Sequence, residues 1–377
     1  MLFPYTYVPH QMERMQRFIN FIFYQVWCRA PKAGPYSLSL FDANPALKEV
    51  MTSFAYGDTE AGDRFSSQVQ DIYQSFSQLS RKEIAQFKRW YQSNNYVEKL
   101  CANDPALQLA RYADIAANHQ TLANQLGTFF KGLYSQSLLD LAALRDKIGE
   151  IDKHYQAFVT VNNAGKCPFC GITDLLSQYH SKRDAYDHYL PKAIYPFNSI
   201  NFKNLVPACH HCNSSYKTSK DPAYAPKDPS GGPHRRAVFY PYALVPYVIH
   251  LQVTLRHNNI EKLKDDDITL QFGPDELNEK IDTWRDVYGI DERYKAKLCG
   301  ENDGKYWLIQ VLDESRAYGK QPADILAVRA EQAQTRPYAD CNFLRRPFLD
   351  ACKNSGVFQV MTTIRSSSAT SRTAAQS

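Results

Sequence analysis

Two Cys-x-x-Cys pairs, Cys167-Pro168-Phe169-Cys170 and Cys209-His210-His211-Cys212, constrain this chain more than any other feature. Four thiolates at knuckle spacing offer a tetrahedral, sulfur-only ligand set, which suits Zn²⁺ and which a hard ion such as Mg²⁺ would refuse. A site closed by four protein ligands leaves no position for water or substrate, so the zinc expected here is structural. Any chemistry then falls to the polar residues that the knuckles bracket or adjoin: Asp187, His188, Asn204 and Asn213. His188 is the side chain whose ordinary pKa lies closest to neutrality, as a general base requires. Asp187 and Asn213 offer the oxygen ligands that Mg²⁺ or Mn²⁺ prefer. Adjacent residues of a strand point to opposite faces, so a local bend is needed for Asp187 and His188 to serve one site.

The run Asp187-His188-Tyr189-Leu190-Pro191-Lys192, followed by Tyr195-Pro196, Asn204-Leu205-Val206-Pro207 and Cys209 to Asn213, resembles the HNH endonuclease family. Within that family it is most similar to the PtuB-like HNH proteins of bacterial anti-phage defense operons. The resemblance spans Cys167 to about Lys217. It implies a zinc-stapled ββα-metal module in which His188 is the general base. Asp187 and Asn213 would ligate a catalytic Mg²⁺ or Mn²⁺, and Asn204 would brace the intervening loop. Asn213 stands where many members carry a second His. The implied activity is hydrolysis of phosphodiester bonds, with DNA the favored substrate and RNA the variant. The implied partner is an ABC-like ATPase, which suits the absence of a Walker-type glycine loop from the sequence. Two readings of other classes stay open. In one, the module is a non-catalytic nucleic-acid-binding unit; in the other, it is only a staple in an assembly subunit.

Charge around the motif fits a polyanion. Between residues 180 and 220 the cations are Lys182, Arg183, Lys192, Lys203, Lys217 and Lys220, against Asp184 and Asp187. Lys192 and Lys217 are the expected phosphate contacts; Lys217 lies one helical turn beyond Asn213. The net charge of +5 over 377 residues makes this footprint local.

The expected fold is an α-rich α+β chain with a helical region over 1–162, the zinc-stapled module over 163–222, an α+β region over 223–364 and a disordered tail over 365–377. Val69, Ile72, Phe76 and Leu79 recur at helical spacing, and Ser80 with Glu83 forms a capping box that opens a second helix. Leu138, Leu141, Leu144, Ile148 and Ile151 predict one amphipathic helix. Ile249 to Leu255 and Ile268 to Phe272 alternate as an antiparallel strand pair, and Pro274-Asp275 opens a helix that Gly289 stops. Nine cysteines, an odd number scattered along a long chain, argue against a disulfide framework and for a reducing cytoplasm. No signal peptide or membrane span is expected.

Overall fold

A computed structural model describes residues 1–225 and 234–361. The expected loop over 227–233 and the expected tail over 365–377 lie outside the described residues. The chain is rich in helix, with four short strands among the described residues: β1 (Tyr186–His188), β2 (Leu205–Pro207), β3 (His250–Leu255) and β4 (Ile268–Gly273). No helix among the described residues is long and apolar enough to cross a membrane.

The chain divides into two compact units. The first joins Phe3–Pro168 with Asp174–Pro246, so the helical region and the strands β1 and β2 share one body. The second holds Phe169–Thr173 and, of the described residues, those from Tyr247 to Met361.

The first unit is built around aromatic side chains. Phe23 stacks on Tyr91 at 3.9 Å, and Phe197 meets Tyr91 and Phe130 at 5.2 Å each. Such ring pairs are worth about 0.5–1.5 kcal/mol each beyond their buried area. Trp27 is fully buried and donates its indole N–H to Val69 O at 3.0 Å. The apolar stripe at 69, 72, 76 and 79 lies on or directly after the helix Glu60–Ser77 and faces this core. Ser80 then caps the helix Arg81–Asn95, with Ser80 N–H on Glu83 Oε2 at 2.8 Å and Glu83 N–H on Ser80 Oγ at 3.3 Å.

The stripe from Leu138 to Ile151 does not form one helix. It is split into Gln136–Leu139, Ala142–Ile148 and Ile151–Val161. Gly149 causes the second break: its φ of 80° and ψ of −166° leave the helix, and Gln11 and Arg14 take the Lys147 carbonyl at 3.2 and 2.9 Å.

The helical region and the hairpin are one unit because the helix Arg81–Asn95 holds the loop between β1 and β2. Asn94 donates to Pro196 O at 3.0 Å and to Ala110 O at 2.7 Å, and Asn95 donates to Phe197 O at 3.2 Å. Phe197 has φ +81°, a left-handed conformation that costs a bulky residue about 1–3 kcal/mol. The surrounding rings and the two asparagines hold it there.

In the second unit β3 and β4 pair antiparallel as expected, in a register that sets Val253 opposite Leu270 and Leu255 opposite Ile268. The helix Asn278–Tyr288 ends on Gly289 at φ 57°, also as expected, and Trp284 Nε1–H donates to Phe169 O at 2.6 Å. Helices Ile290–Cys299, Gly304–Tyr318, Pro322–Thr335 and Asn342–Asn354 complete it.

Candidate functional site

β1 and β2 pair antiparallel, with Asp187 opposite Val206 and His188 opposite Leu205, and a helical segment His211–Lys217 follows. That segment is wound as a π-helix, so Thr218 N–H reaches Asn213 O, five residues back, at 3.0 Å. Strand, strand and helix therefore follow in the order expected of the segment.

The four knuckle cysteines come together. The Sγ atoms of Cys167, Cys170, Cys209 and Cys212 all lie within 4.8 Å of one another and every one of these residues is buried. The first pair sits in a turn closed by the bridge between Lys166 and Asp174 and by Leu175 N–H on Gly165 O at 3.0 Å. The second pair opens the π-helix, where Cys212 N–H approaches Cys209 Sγ at 3.5 Å. Four sulfurs at mutual contact distance, shielded from water, make a donor set that can hold a metal such as zinc with no coordination position left over. His210 and His211 are exposed and lie outside this cluster.

Asn204 is fully buried and ties the loop to itself. Its Oδ1 accepts from Leu190 N–H at 2.8 Å, while its Nδ2 donates to Leu190 O at 3.1 Å and Asn198 O at 3.3 Å. An amide fits because only a side chain with both acceptor and donors can satisfy both faces of the loop.

This loop carries Ser199 to His188. His188 Nε2 lies 2.9 Å from Ser199 O, and a carbonyl only accepts, so Nε2 bears the proton and Nδ1 keeps its lone pair. Tyr134 stands edge-on to the imidazole at 5.1 Å between ring centers. Burial, reinforced by the charges of Lys192 and Lys217 and opposed by the Ser199 hydrogen bond, lowers the His188 pKa to about 3. The ring is therefore neutral at physiological pH, and a weaker base than the ordinary imidazole expected from the sequence.

Asp187 is 3% exposed and faces Lys217, which is 0% exposed. Lys217 Nζ sits 2.9 Å from Asp187 Oδ1 and 2.9 Å from the His188 carbonyl. Burial raises the Asp187 pKa, and the Lys217 ammonium opposes the rise. Lys217 is thus not the surface phosphate contact expected from the sequence. Its helix turns inward after Cys212, and its charge is spent on a carboxylate that water cannot reach. Asp187 Oδ2 is buried without a hydrogen-bond partner among the described residues. A bare carboxylate oxygen is a donor that a hard divalent cation accepts. Asn213, half-buried at the start of the π-helix, anchors its own N–H on Cys209 O at 3.0 Å. Lys192 is half-buried, donates to Lys131 O at 3.2 Å and lies over the Tyr134 ring, and burial lowers its pKa.

Sequence reasoning missed Tyr134, Ser199 and the asparagines 94 and 95, because each acts across more than ten residues of chain. The one local signal was the paired Asn94-Asn95 at a helix end, where two helix-breaking amides invite a tertiary role.

No family model matches the chain, and no solved structure matches it. It is 39% identical over 74 residues to Protein ea31 of Escherichia phage lambda, a match covering 20% of this chain and 22% of that protein. The chain therefore aligns with less than a quarter of that relative's length.

Proposed function

We propose that the chain is a metal-dependent HNH-type endonuclease that hydrolyzes phosphodiester bonds of nucleic acid, most of all DNA. The observation that carries this reading is His188: an imidazole whose Nε2 is committed to Ser199 O, which leaves Nδ1 as a proton acceptor, on the strand that also carries the buried Asp187. In the proposed reaction Nδ1 of His188 takes a proton from the attacking water as the phosphorus–oxygen bond to the leaving group breaks. Ser199 O keeps the ring from turning and fixes the tautomer. Asn204 holds the loop that places Ser199. Asp187, through its unpartnered Oδ2, and Asn213 are the residues that would hold a catalytic Mg²⁺ or Mn²⁺. Such an ion, when bound, supplies positive charge to the phosphate oxygens and the leaving oxygen. Zinc in the four-cysteine cluster is the staple of the unit. By its resemblance to defense nucleases, the protein acts as the effector of a bacterial anti-phage complex, in the cytoplasm, beside an ABC-like ATPase.

A second reading has one observation in its favor. The ammonium of Lys217 already neutralizes Asp187, as it would in a module that binds nucleic acid without cutting it. Cleavage of supercoiled plasmid by the purified protein and by His188→Ala, with Mg²⁺ or Mn²⁺ and with or without lysate of the native host, separates the two. Nicking or linearization by wild type alone is the expected result. Equal cleavage by both proteins removes His188 from the mechanism, and cleavage by neither, lysate included, leaves the binding module.

A further inference from the structure

The helical region carries a second cationic feature far along the chain from the knuckles. From Arg14 to Phe41 the sequence has four cations, Arg14, Arg17, Arg29 and Lys32, and no carboxylate. Folding brings three of these to the helix Arg81–Asn95. One hollow of about 630 Å³ is lined by Arg29, Lys32, Arg81 and Lys88 with Cys28 and Ile84 at its apolar side. A second, of about 540 Å³, is lined by Arg17, Arg29 and Lys88 with Phe21 and Tyr24. Arg29 and Lys88 line both, so the two hollows adjoin and together make one cationic groove.

The five cations of this groove are exposed, and no carboxylate lines either hollow. None of the five makes an ion pair or side-chain hydrogen bond among the described residues, whereas Arg14, Arg64 and Arg89 nearby in sequence all do. Five like charges set together on a surface repel one another and lower stability unless a counter-charge arrives. Phe21 and Tyr24 are half-buried and line the same hollow beside the charges. A cationic track flanked by aromatic faces is the pattern that holds an unpaired nucleic-acid strand, with phosphates on the cations and bases on the rings.

We propose that this groove is a binding site for an unpaired nucleic-acid strand, contacted through its phosphodiester backbone by Arg17, Arg29, Lys32, Arg81 and Lys88. The inference rests on the nuclease reading only in choosing nucleic acid as the polyanion. It would give the helical region the task of holding substrate outside the candidate catalytic unit.

The test is fluorescence anisotropy of a labeled oligo(dT) of about 20 nucleotides, with the full chain carrying His188→Ala and no added divalent metal. Five phosphate contacts predict a slope of log K against log salt of about −3.5, at about 0.7 per contact on a single strand. Arg29→Gln with Lys88→Gln should reduce that slope by about 1.4 and weaken binding about 25-fold at 0.1 M salt. Lys32→Gln with Arg81→Gln should do the same, and all four positions are exposed, so folding is unaffected. Unchanged affinity and slope in both double variants would overturn the proposal. So would equal competition by poly-glutamate, by a mononucleotide or by a duplex of the same length. The two readings fail separately. A wild type that cuts plasmid while both variants bind normally defeats the groove alone; a groove that binds as expected in a protein that never cuts defeats the nuclease alone.

Discussion

Removal of the Lys217 ammonium tests the electrostatics of the site most directly. At 2.9 Å and an effective dielectric of about 20, Coulomb's law gives a gross attraction of about 6 kcal/mol between Lys217 and Asp187. Desolvation of both ions offsets most of it, so the net worth of the pair is small, but breaking it is costly. Lys217→Met leaves a carboxylate that is 3% exposed with no counter-charge, a loss of about 3–5 kcal/mol. Replacing both partners by apolar residues, Lys217→Met with Asp187→Leu, should recover most of that loss. Hydrogen exchange over residues 186–217 is the appropriate readout, because the chain has two compact units and a single unfolding free energy would mix them. The pH dependence has a definite sign. Burial already raises the Asp187 pKa above 3.8, and Lys217→Met removes the force opposing the rise. The folded state then keeps a proton that the unfolded state has released, so stability falls as pH climbs through the window above 3.8. The penalty should be nearly absent at pH 4 and full at neutral pH. Added Mg²⁺ or Mn²⁺ should restore protection to Lys217→Met if the Asp187 oxygens accept a divalent ion. A change below about 1 kcal/mol at neutral pH would refute the argument, because it would mean that water already reaches the pair.

Two further outcomes follow from the same unit. The protein should purify with one zinc per chain, and stripping it, or Cys212→Ser, should expose residues 205–217 to exchange. Zinc binding in small sites is worth about 10–16 kcal/mol, more than a local unit can lose and stay folded; a metal-free protein with unchanged melting would rule the staple out. His154 is 2% exposed beneath β1, bonded to Tyr186 Oη and 3.3 Å from Val8 O, and burial lowers its pKa from 6.5 to about 4. Between those values the unfolded chain takes up a proton that the folded one refuses. Stability should therefore rise with pH across that window by about 3 kcal/mol and be complete above it. His154→Gln should flatten this segment of the stability profile, and an unchanged slope would assign it to other groups.

What was legible in the sequence was what local spacing encodes. The knuckles, the capping box at Ser80, the alternation in β3 and β4 and the stop at Gly289 each follow from residues within a few positions of one another, and each stands in the structure. The resemblance, not local spacing, singled out Asn204, whose side chain bonds Leu190 and Asn198 across the loop. The continuous helix over Leu138 to Ile151 failed because periodicity does not register a backbone break. Gly149 was visible as a residue, but its positive φ was not, nor was the hold that Gln11 and Arg14, at the other end of the helical region, have on the Lys147 carbonyl beside it. Nor does local spacing show that the helical region and the β1–β2 hairpin share one compact unit. Asn94, Asn95 and Tyr91 hold Pro196 and Phe197 from a hundred residues away, and no composition shift marks such a contact.

Lys217 shows why charge alone misleads near a buried acid. In sequence it belongs to a cluster of six cations with two carboxylates, and an excess of that kind reads as a surface that meets phosphate. Folding sorts the cluster by depth. Asp187 lies on a strand whose neighbors are apolar, so its charge can persist there only with a cation drawn in beside it. The π-helix that begins at the second knuckle delivers Lys217 to that place, and the wider winding lets one ammonium span Asp187 Oδ1 and the His188 carbonyl. A lysine expected to meet phosphate is therefore committed to the site's interior. Among the described residues, a group of exposed cations without ion pairs lies instead in the helical region, around Arg29 and Lys88, which the sequence marked as scaffold or partner docking. If the charge that positions His188 and the charge that gathers substrate are separate in this way, their salt dependences must differ. Neutralizing the groove should change how binding responds to salt, while the Lys217–Asp187 pair, shielded from solvent ions, should hardly respond at all.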